Sequence, residues 1–271
     1  GLHSATMRAV AFDFDGVLCD SSREVFVVAV DTYQVLRPNS PLAGRLQPLR
    51  EDALSGGDAF RDDALYASFL DLLPLGNRAE DFGVSLAIIE DGLVIDDQEG
   101  YDEFFQSIDG DWLERFHHQF YELRAALRLA DESAWVGLHL PYPGLADTLR
   151  IHKGAAVTAV ATAKDARSVE LLLSALGLDG LFDPEWVLDK ETGVHKTKHM
   201  QALSEKLRIG FENITFIDDK LNHLHSVAEL GVRGVLAGWG FNTDREHCLA
   251  SERGFEIAEL DTAGTVLFEG E

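Results

Sequence analysis

Two pairs of aspartates follow short apolar segments, a position that suits a ligand or cation site in an open α/β sheet. The segment 8–14, Arg-Ala-Val-Ala-Phe-Asp-Phe, is predicted to form a buried strand that ends with Asp13 and Asp15. Gly16 lets the backbone turn out of the strand here, so that both carboxylates can face one crevice. The alternative is an ordinary Asp-Gly turn that carries two solvated acids.

The second pair, Asp218 and Asp219, follows the apolar segment 213–217. Because the carboxyl ends of parallel strands meet at one edge of a sheet, this pair can join Asp13 and Asp15 there. Four converging carboxylates repel one another unless a cation lies between them, and a hard, oxygen-ligated ion such as Mg²⁺ fits that need. The alternative is that the second pair caps the helix that follows it.

Between these two strands, the predicted strand 155–161 ends at Thr162, whose hydroxyl could donate to an anionic oxygen. The turn after it opens a helix, and free amides at a helix start favour phosphate. The alternative is that this threonine is only a helix cap. A cation is expected from the connection before the next predicted helix, where Lys196 is favoured over Lys190 and Lys198.

The pattern of elements indicates how these residues are positioned. After about residue 140 the chain alternates short apolar strands with helices, which predicts a Rossmann-like α/β fold: a parallel sheet with helices on both faces. Residues 21–139 instead show helical periodicity, as in 111–129, where apolar side chains recur every three or four positions. We therefore predict a core domain of 7–20 and 140–271 with a mainly helical insert, 21–139, after the first strand.

Composition narrows the class of protein. The chain has 271 residues, with 47 Asp and Glu against 23 Lys and Arg, a formal net charge of −24. Such acidity predicts no binding to nucleic acid or to anionic membranes, and no apolar run is long enough for a membrane helix. Two cysteines, Cys19 and Cys248, are too few for a disulfide framework, so a cytoplasmic protein is expected. Residues 1–6 are expected to be a leader ahead of Met7, and homo-oligomerisation is left open.

The motifs together resemble the haloacid dehalogenase-like superfamily, in the phosphatase branch that includes phosphoglycolate phosphatases and β-phosphoglucomutase-like proteins. The resemblance covers the whole chain, with the insert in the place of the family's helical cap. The adjacent acids of the last motif depart from the commoner Gly-Asp-x-x-x-Asp form. The matching residues, in family order, are Asp13 and Asp15 before Gly16, then Thr162, Lys196, and Asp218 with Asp219.

The resemblance implies a mechanism for the first motif. Asp13 would be the nucleophile that forms an aspartyl-phosphate, and Asp15 would be the general acid and base. Mg²⁺ would be bound by Asp13, the main-chain carbonyl of Asp15 and Asp218. The second acid also separates the chain from the family's dehalogenases, because a halide leaves without a proton.

The same resemblance assigns Thr162 and Lys196 to the phosphate oxygens. It leaves two roles open for Asp219, either behind the metal ligands or holding the lysine. His223 and His225 are interpreted as surface or core side chains, because residues two apart on a helix point to different faces.

The expected reaction is hydrolysis of a small phosphorylated metabolite. A phosphomutase of the β-phosphoglucomutase type is the alternative, and a non-catalytic interaction module on the same fold is a third interpretation. Several polar residues of the insert are candidate substrate contacts, and none is singled out: Arg23, Arg45, Arg50, Asn77, Arg124 and Arg128.

Overall fold

The computed structural model describes residues 7–269. The expected leader, 1–6, lies outside the described residues, as do the last two residues of the predicted core domain. The described chain forms two compact units, one made of 7–20 with 140–269 and the other of Ser21–His139.

The first unit contains a parallel sheet of six strands in the order β5-β4-β1-β6-β7-β8. A small antiparallel pair, β2 with β3, lies at the two points where the chain leaves and re-enters this unit. The described strands are β1 (Ala9–Phe12), β2 (Cys19–Asp20), β3 (Leu140–Pro141), β4 (Val157–Ala161), β5 (Val187–Leu188), β6 (Ile214–Asp218), β7 (Arg233–Ala237) and β8 (Glu256–Ala258).

Strand β1 lies at the centre of the sheet, and all four of its residues are buried. A continuous apolar run suits this position, because both faces of a parallel sheet are covered. Phe12 is level with Val160 of β4 on one side and with Ile217 of β6 on the other. Asp13 and Asp218 therefore stand level at the same edge of the sheet.

The second unit is helical throughout its regular structure. Trp112, Phe116 and Phe120 are buried on one face of its longest helix, as the three- and four-residue spacing predicts. The helices are α1 (Ser22–Leu36), α2 (Pro41–Leu54), α3 (Ala64–Leu72), α4 (Ala79–Glu90), α5 (Gln98–Ser107), α6 (Gly110–Ala130) and α7 (Glu132–Gly137), with 3-10 turns at Ala59–Asp62 and Leu73–Leu75.

The helices of the first unit pack against the sheet and bury Met200, Leu203, Leu224 and Val227 against its strands. They are α8 (Leu145–Ile151), α9 (Ala166–Ala175), α10 (Lys196–Leu207), α11 (Leu221–Ala228) and α12 (Asp244–Glu252); 3-10 turns occur at Pro184–Trp186 and Phe211–Asn213, and a π-turn at Thr265–Glu269. The predicted Rossmann-like α/β fold with a mainly helical insert after its first strand is confirmed.

The structure differs from the sequence expectation in local detail. The helical periodicity of 58–73 in the sequence predicts one helix there, but Asp63 accepts a hydrogen bond from the Leu65 amide and starts a new helix, α3, after a 3-10 turn. The last strand of the sheet, β8, has only three residues and was not predicted. None of the described helices has the length and apolar character required to cross a bilayer.

Candidate active site

Asp13 lies at the start of a tight turn that leaves β1. The carbonyl of Phe14 accepts hydrogen bonds from the amides of Leu18 and Cys19, at 2.9 and 3.1 Å. Gly16 has a φ of +82°, a conformation that residues with a Cβ rarely adopt. The Gly16 amide in turn donates to the Cys19 carbonyl at 2.8 Å. The turn is thus closed by its own backbone, and it leaves Asp13 at the sheet edge.

Three carboxylates converge at this edge. Oxygens of Asp13, Asp218 and Asp219 all lie within 4.8 Å of one another, and all three residues are buried. Their proximity follows from the adjacent strands β1 and β6, which end at the same level. The side chain of Asp15 is not part of this cluster. The expected convergence of the two acidic motifs is therefore present for three of the four carboxylates.

Lys196 is the cation at the cluster. It is the first residue of α10, and its Nζ donates to Asp13 Oδ1 at 2.5 Å and to the Ala161 carbonyl of β4 at 2.7 Å. The two other lysines that the sequence offered, Lys190 and Lys198, are exposed. The structure thus places the favoured lysine against the expected nucleophile.

The charges of the cluster perturb one another strongly. Burial and the charge of Asp218 raise the pKa of Asp13 to about 6, although Lys196 acts in the opposite direction. Burial also raises the pKa of Asp219 well above its usual value. For Asp218, burial acts to raise the pKa, but His223 and Lys196 outweigh it and the pKa is lowered. Burial and mutual repulsion thus make Asp13 and Asp219 harder to ionise than free carboxylates, although Lys196 and Lys220 act in the opposite direction.

Asp15 points to a different partner. Its Oδ2 lies 3.1 Å from Nζ of Lys164, which the sequence analysis did not single out. Thr162 Oγ1 accepts a hydrogen bond from the Lys164 amide at 3.1 Å, so the threonine orders the turn that carries this lysine. The helix cap is Asp165, whose carboxylate accepts from the Ser168 amide at 2.9 Å. The alternative reading of Thr162 as the cap of α9 is therefore wrong.

His223, interpreted from the sequence as a surface or core side chain, is half-buried and contacts the carboxylate cluster. Its Nδ1 lies 2.9 Å from Asp218 Oδ2, while the other oxygen of Asp218 accepts from the Lys220 amide at 2.9 Å. The second contact fixes the backbone at Lys220, but no described side chain caps the start of α11, so the capping alternative for Asp218 and Asp219 is wrong. The signal that could have revealed His223 is its place on the first turn of the helix that follows the acidic pair.

Asp219 contacts the segment 238–242, Gly-Trp-Gly-Phe-Asn, which follows β7 and which we call the 238–242 loop. Its Oδ2 accepts a hydrogen bond from the Phe241 amide at 3.0 Å, and its carbonyl accepts from Asn242 Nδ2 at 3.2 Å. Lys196 is held by other groups, so among the described residues nothing supports a lysine-holding role for Asp219.

The candidate substrate residues of the insert are mostly engaged with acids of that same unit. Arg23, Arg50 and Arg124 are each paired with a carboxylate at 2.5 to 2.8 Å, and Arg128 is 3.4 Å from one. The partners are Asp58, Asp31, Glu24 and Glu132, respectively. These contacts give the four arginines a structural role within the helical unit.

The donor set of the carboxylate cluster fits a hard divalent cation. Mg²⁺ is bound in proteins through one or two carboxylates together with water and substrate phosphate oxygens. The cluster offers buried carboxylate oxygens close to one another, and the raised pKa of Asp13 reports the repulsion that a cation would relieve. None of the three residues of the cluster is a cysteine or a histidine, so softer metals are not favoured.

Comparisons with known proteins agree with this geometry. The sequence profile of the haloacid dehalogenase-like hydrolases matches residues 7–231. A protein provisionally named phosphoglycolate phosphatase from Lactobacillus delbrueckii subsp. bulgaricus has a similar structure, with a TM-score of 0.65 and 14% identity over 97% of this chain and 99% of that one. No curated protein sequence matches the chain.

Two further solved structures share the fold. A predicted phosphoglycolate phosphatase from Haemophilus somnus has a TM-score of 0.56 and 17% identity, covering 96% of this chain and 97% of that one. A HAD family hydrolase from Deinococcus radiodurans, with bound phosphate and sodium, has a TM-score of 0.54 and 18% identity, covering 98% and 99%. At these identities the likeness concerns the fold.

Proposed function

Since the chain belongs to the haloacid dehalogenase-like hydrolases, we propose that it is a Mg²⁺-dependent phosphatase that hydrolyses a small phosphate monoester through an aspartyl-phosphate. The observation that carries this proposal is the cluster of Asp13, Asp218 and Asp219 with Lys196 bonded to Asp13. The proposed nucleophile, the proposed cation site and the lysine proposed for phosphate oxygens thus lie at one sheet edge. The phosphatase names of two structural neighbours, and the phosphate bound in a third, support the same chemistry.

In the proposed first step, a carboxylate oxygen of Asp13 attacks phosphorus in line with the ester bond. The bond from phosphorus to the ester oxygen breaks, and Asp15 gives its proton to the departing alcohol. In the second step Asp15 takes a proton from water, whose oxygen attacks phosphorus. The bond from phosphorus to Asp13 then breaks, which releases phosphate and restores both side chains.

Lys196 and Thr162 would hold the non-bridging oxygens of the phosphoryl group during both steps. Lys196 is suited to this because burial between Asp13 and the Ala161 carbonyl fixes its Nζ in place. Thr162 lies at the carboxyl end of β4, next to β1 in the sheet. Lys164 contacts Asp15 and so orients the carboxylate that moves the proton.

We propose that Asp13, Asp218 and the main-chain carbonyl of Asp15 hold Mg²⁺, with Asp219 next to them. When bound, the ion neutralises charge on the phosphoryl oxygens and on the carboxylates. Both carboxylates have other partners: Asp218 accepts from the Lys220 amide and lies 2.9 Å from His223 Nδ1, and Asp219 accepts from the Phe241 amide and is hydrogen-bonded to Asp218. Comparison of D218N with D219N in Mg²⁺ titrations will show which of the two carboxylates contributes more to binding.

The test is phosphate release from a panel of phosphorylated metabolites, with Mg²⁺ and with EDTA. We expect release that depends on Mg²⁺, is lost reversibly in EDTA, and falls by about 10⁴-fold or more in D13N. The matched control is D179N, because Asp179 is an exposed aspartate of the same unit. Activity that survives D13N or EDTA would contradict the proposal. Bisphosphate-dependent isomerisation without phosphate release would favour a mutase.

A further inference from the structure

The 238–242 loop contacts both acidic motifs of the proposed site, although it carries no acid of its own. It follows β7, which neighbours β6 in the sheet, so it emerges beside Asp218 and Asp219 at the edge where Asp13 lies. Neither the family resemblance nor the proposed mechanism gives this loop a role.

The first contact is with the acidic pair. The Phe241 amide donates to Asp219 Oδ2 at 3.0 Å, and the Asn242 side-chain amide donates to the Asp219 carbonyl at 3.2 Å. One bond orients the carboxylate and the other fixes the backbone that carries it. Partners that orient metal-binding carboxylates commonly change metal affinity 10- to 100-fold when they are removed.

The second contact is with the turn that carries Asp13. Trp239 Nε1 donates to the Val17 carbonyl at 3.0 Å. Gly240 passes so close to this turn that a Cβ would overlap the Gly16 carbonyl oxygen and the Cβ of Asp219. Neither obstacle is the far end of a flexible side chain, so any larger residue at 240 must separate the loop from one motif or the other.

The loop is itself held in shape by contacts within the first unit. Asn242 Nδ2 also donates to the Ala237 carbonyl at 2.9 Å, and Asn242 Oδ1 is 2.7 Å from His247 Nε2. The Gly240 amide donates to the Ala237 carbonyl at 3.0 Å. The loop is therefore ordered independently of the groups that it contacts.

We infer that the 238–242 loop is a positioning element that sets the spacing of the carboxylate cluster for its cation. Phe241 and Asn242 fix Asp219, while Trp239 and the close passage of Gly240 hold the turn of Asp13 at a matched distance. This inference rests on the proposed function for the presence of the cation, and it adds residues that determine how tightly the cation is bound.

The test is the binding of Mn²⁺ to the metal-free protein, followed by the EPR signal of the free ion, so no turnover is needed. We expect G240A to bind Mn²⁺ about 10-fold more weakly or worse. The matched control is G210A, outside the loop in the same unit, in which the added Cβ meets the side chain of the exposed Glu212, which can move aside. Neither glycine has a positive φ, so backbone strain does not separate the two variants.

A second variant keeps the inference testable if G240A does not fold. N242A removes the three hydrogen bonds of the Asn242 side-chain amide and leaves the loop backbone free of overlap, and we expect Mn²⁺ affinity to fall several-fold. Wild-type affinity in a folded G240A, or in N242A if G240A is unfolded, would overturn the inference. Absence of Mn²⁺ binding by the wild-type protein would instead contradict the cation site of the proposed function.

Discussion

The two units bury charged side chains in opposite ways. In the helical unit, Glu24 is fully buried and receives two hydrogen bonds from the Arg124 guanidinium, at 2.7 and 2.8 Å, and one from Trp135 at 3.2 Å. In the sheet unit, Asp13, which lies in a cluster of three carboxylates, is bonded to a single lysine. The first arrangement pairs one carboxylate with one guanidinium, whereas the second brings three carboxylates together.

This difference separates structural from functional burial of charge. A matched and fully hydrogen-bonded pair holds helices together and needs nothing else. An unmatched cluster opposes folding until a cation or an anionic substrate with its cation completes it, which is what a site for Mg²⁺ and phosphate requires. Replacing a buried carboxylate by a neutral amide should therefore lower the free energy of unfolding in the helical unit and raise it in the sheet unit.

The largest change in the free energy of unfolding is expected for E24Q in the helical unit. The change leaves the Arg124 guanidinium, which is 23% exposed, against a neutral amide, and breaking a pair whose carboxylate is fully buried costs about 3–5 kcal/mol. Urea denaturation will measure the free energy of unfolding. E24L/R124L removes both charges and should cost less than E24Q; a double variant that is the less stable of the two would contradict the comparison.

An intermediate effect on stability is expected for His199, a buried titratable side chain without an ionic partner among the described residues. His199 of α10 is fully buried, its Nε2 lies 3.2 Å from the Asp189 carbonyl, and burial, with the charge of Lys196, lowers its pKa to about 4. The unfolded chain, in which a histidine titrates near 6.5, therefore binds more protons between pH 4 and 6.5. Stability contributed by neutral His199 is complete above pH 6.5 and is lost as the pH falls through 4.

The measurement is the free energy of unfolding of wild type and H199Q at several pH values from 7 to 4. We expect wild type to lose about 3 kcal/mol more than H199Q over this range. The raised pKa of Asp13 makes the free energy of unfolding change with pH in the opposite direction. This contribution is common to both proteins, so the difference between their pH profiles reports on His199 alone. Parallel pH profiles would refute the assignment.

The sequence predicted the parts of the site that depend on strand ends. Asp13 and Asp218 each follow apolar residues, and parallel strands bring their carboxyl ends to one edge, so the fold class was enough to bring them together. For the expected cation the sequence offered three lysines in one connection and favoured Lys196. The choice depends on which side chain reaches Asp13 from the start of the helix, and only the structure shows this contact.

The remaining residues depend on contacts that no local pattern reports. Lys164 contacts Asp15 across a turn. His223 contacts Asp218 from the next helix, whereas its spacing from His225 in the sequence indicated only that the two histidines lie on different helix faces. The 238–242 loop contacts Asp219 across about twenty residues of sequence. Its Gly-Trp-Gly-Phe-Asn sequence indicates a turn, but the need for glycine at 240 arises only from the approach of two other segments.

The change in the free energy of unfolding is expected to be smaller for D13N than for E24Q and to have the opposite sign. Since the pKa of Asp13 is raised from 3.8 to about 6, its ionised form opposes folding at pH 7, and a neutral amide should stabilise the metal-free protein by about 1–3 kcal/mol. Urea denaturation in EDTA will measure this, with D179N as the control. Loss of stability in D13N would mean that the Lys196 contact outweighs the crowding of the carboxylates.

The smallest change in the free energy of unfolding is expected where both side chains of a charged pair of the helical unit are partly exposed. Arg50 donates to both oxygens of Asp31, at 2.8 and 2.9 Å, with the two side chains 20% and 24% exposed. Because water and salt screen such a pair, D31N should cost about 1 kcal/mol or less, and 1 M NaCl should remove most of that. A cost close to that of E24Q would mean that bidentate geometry, rather than burial, sets the strength of these pairs. The contrast between the two units would then rest on how well each charge is paired and no longer on how deeply it is buried.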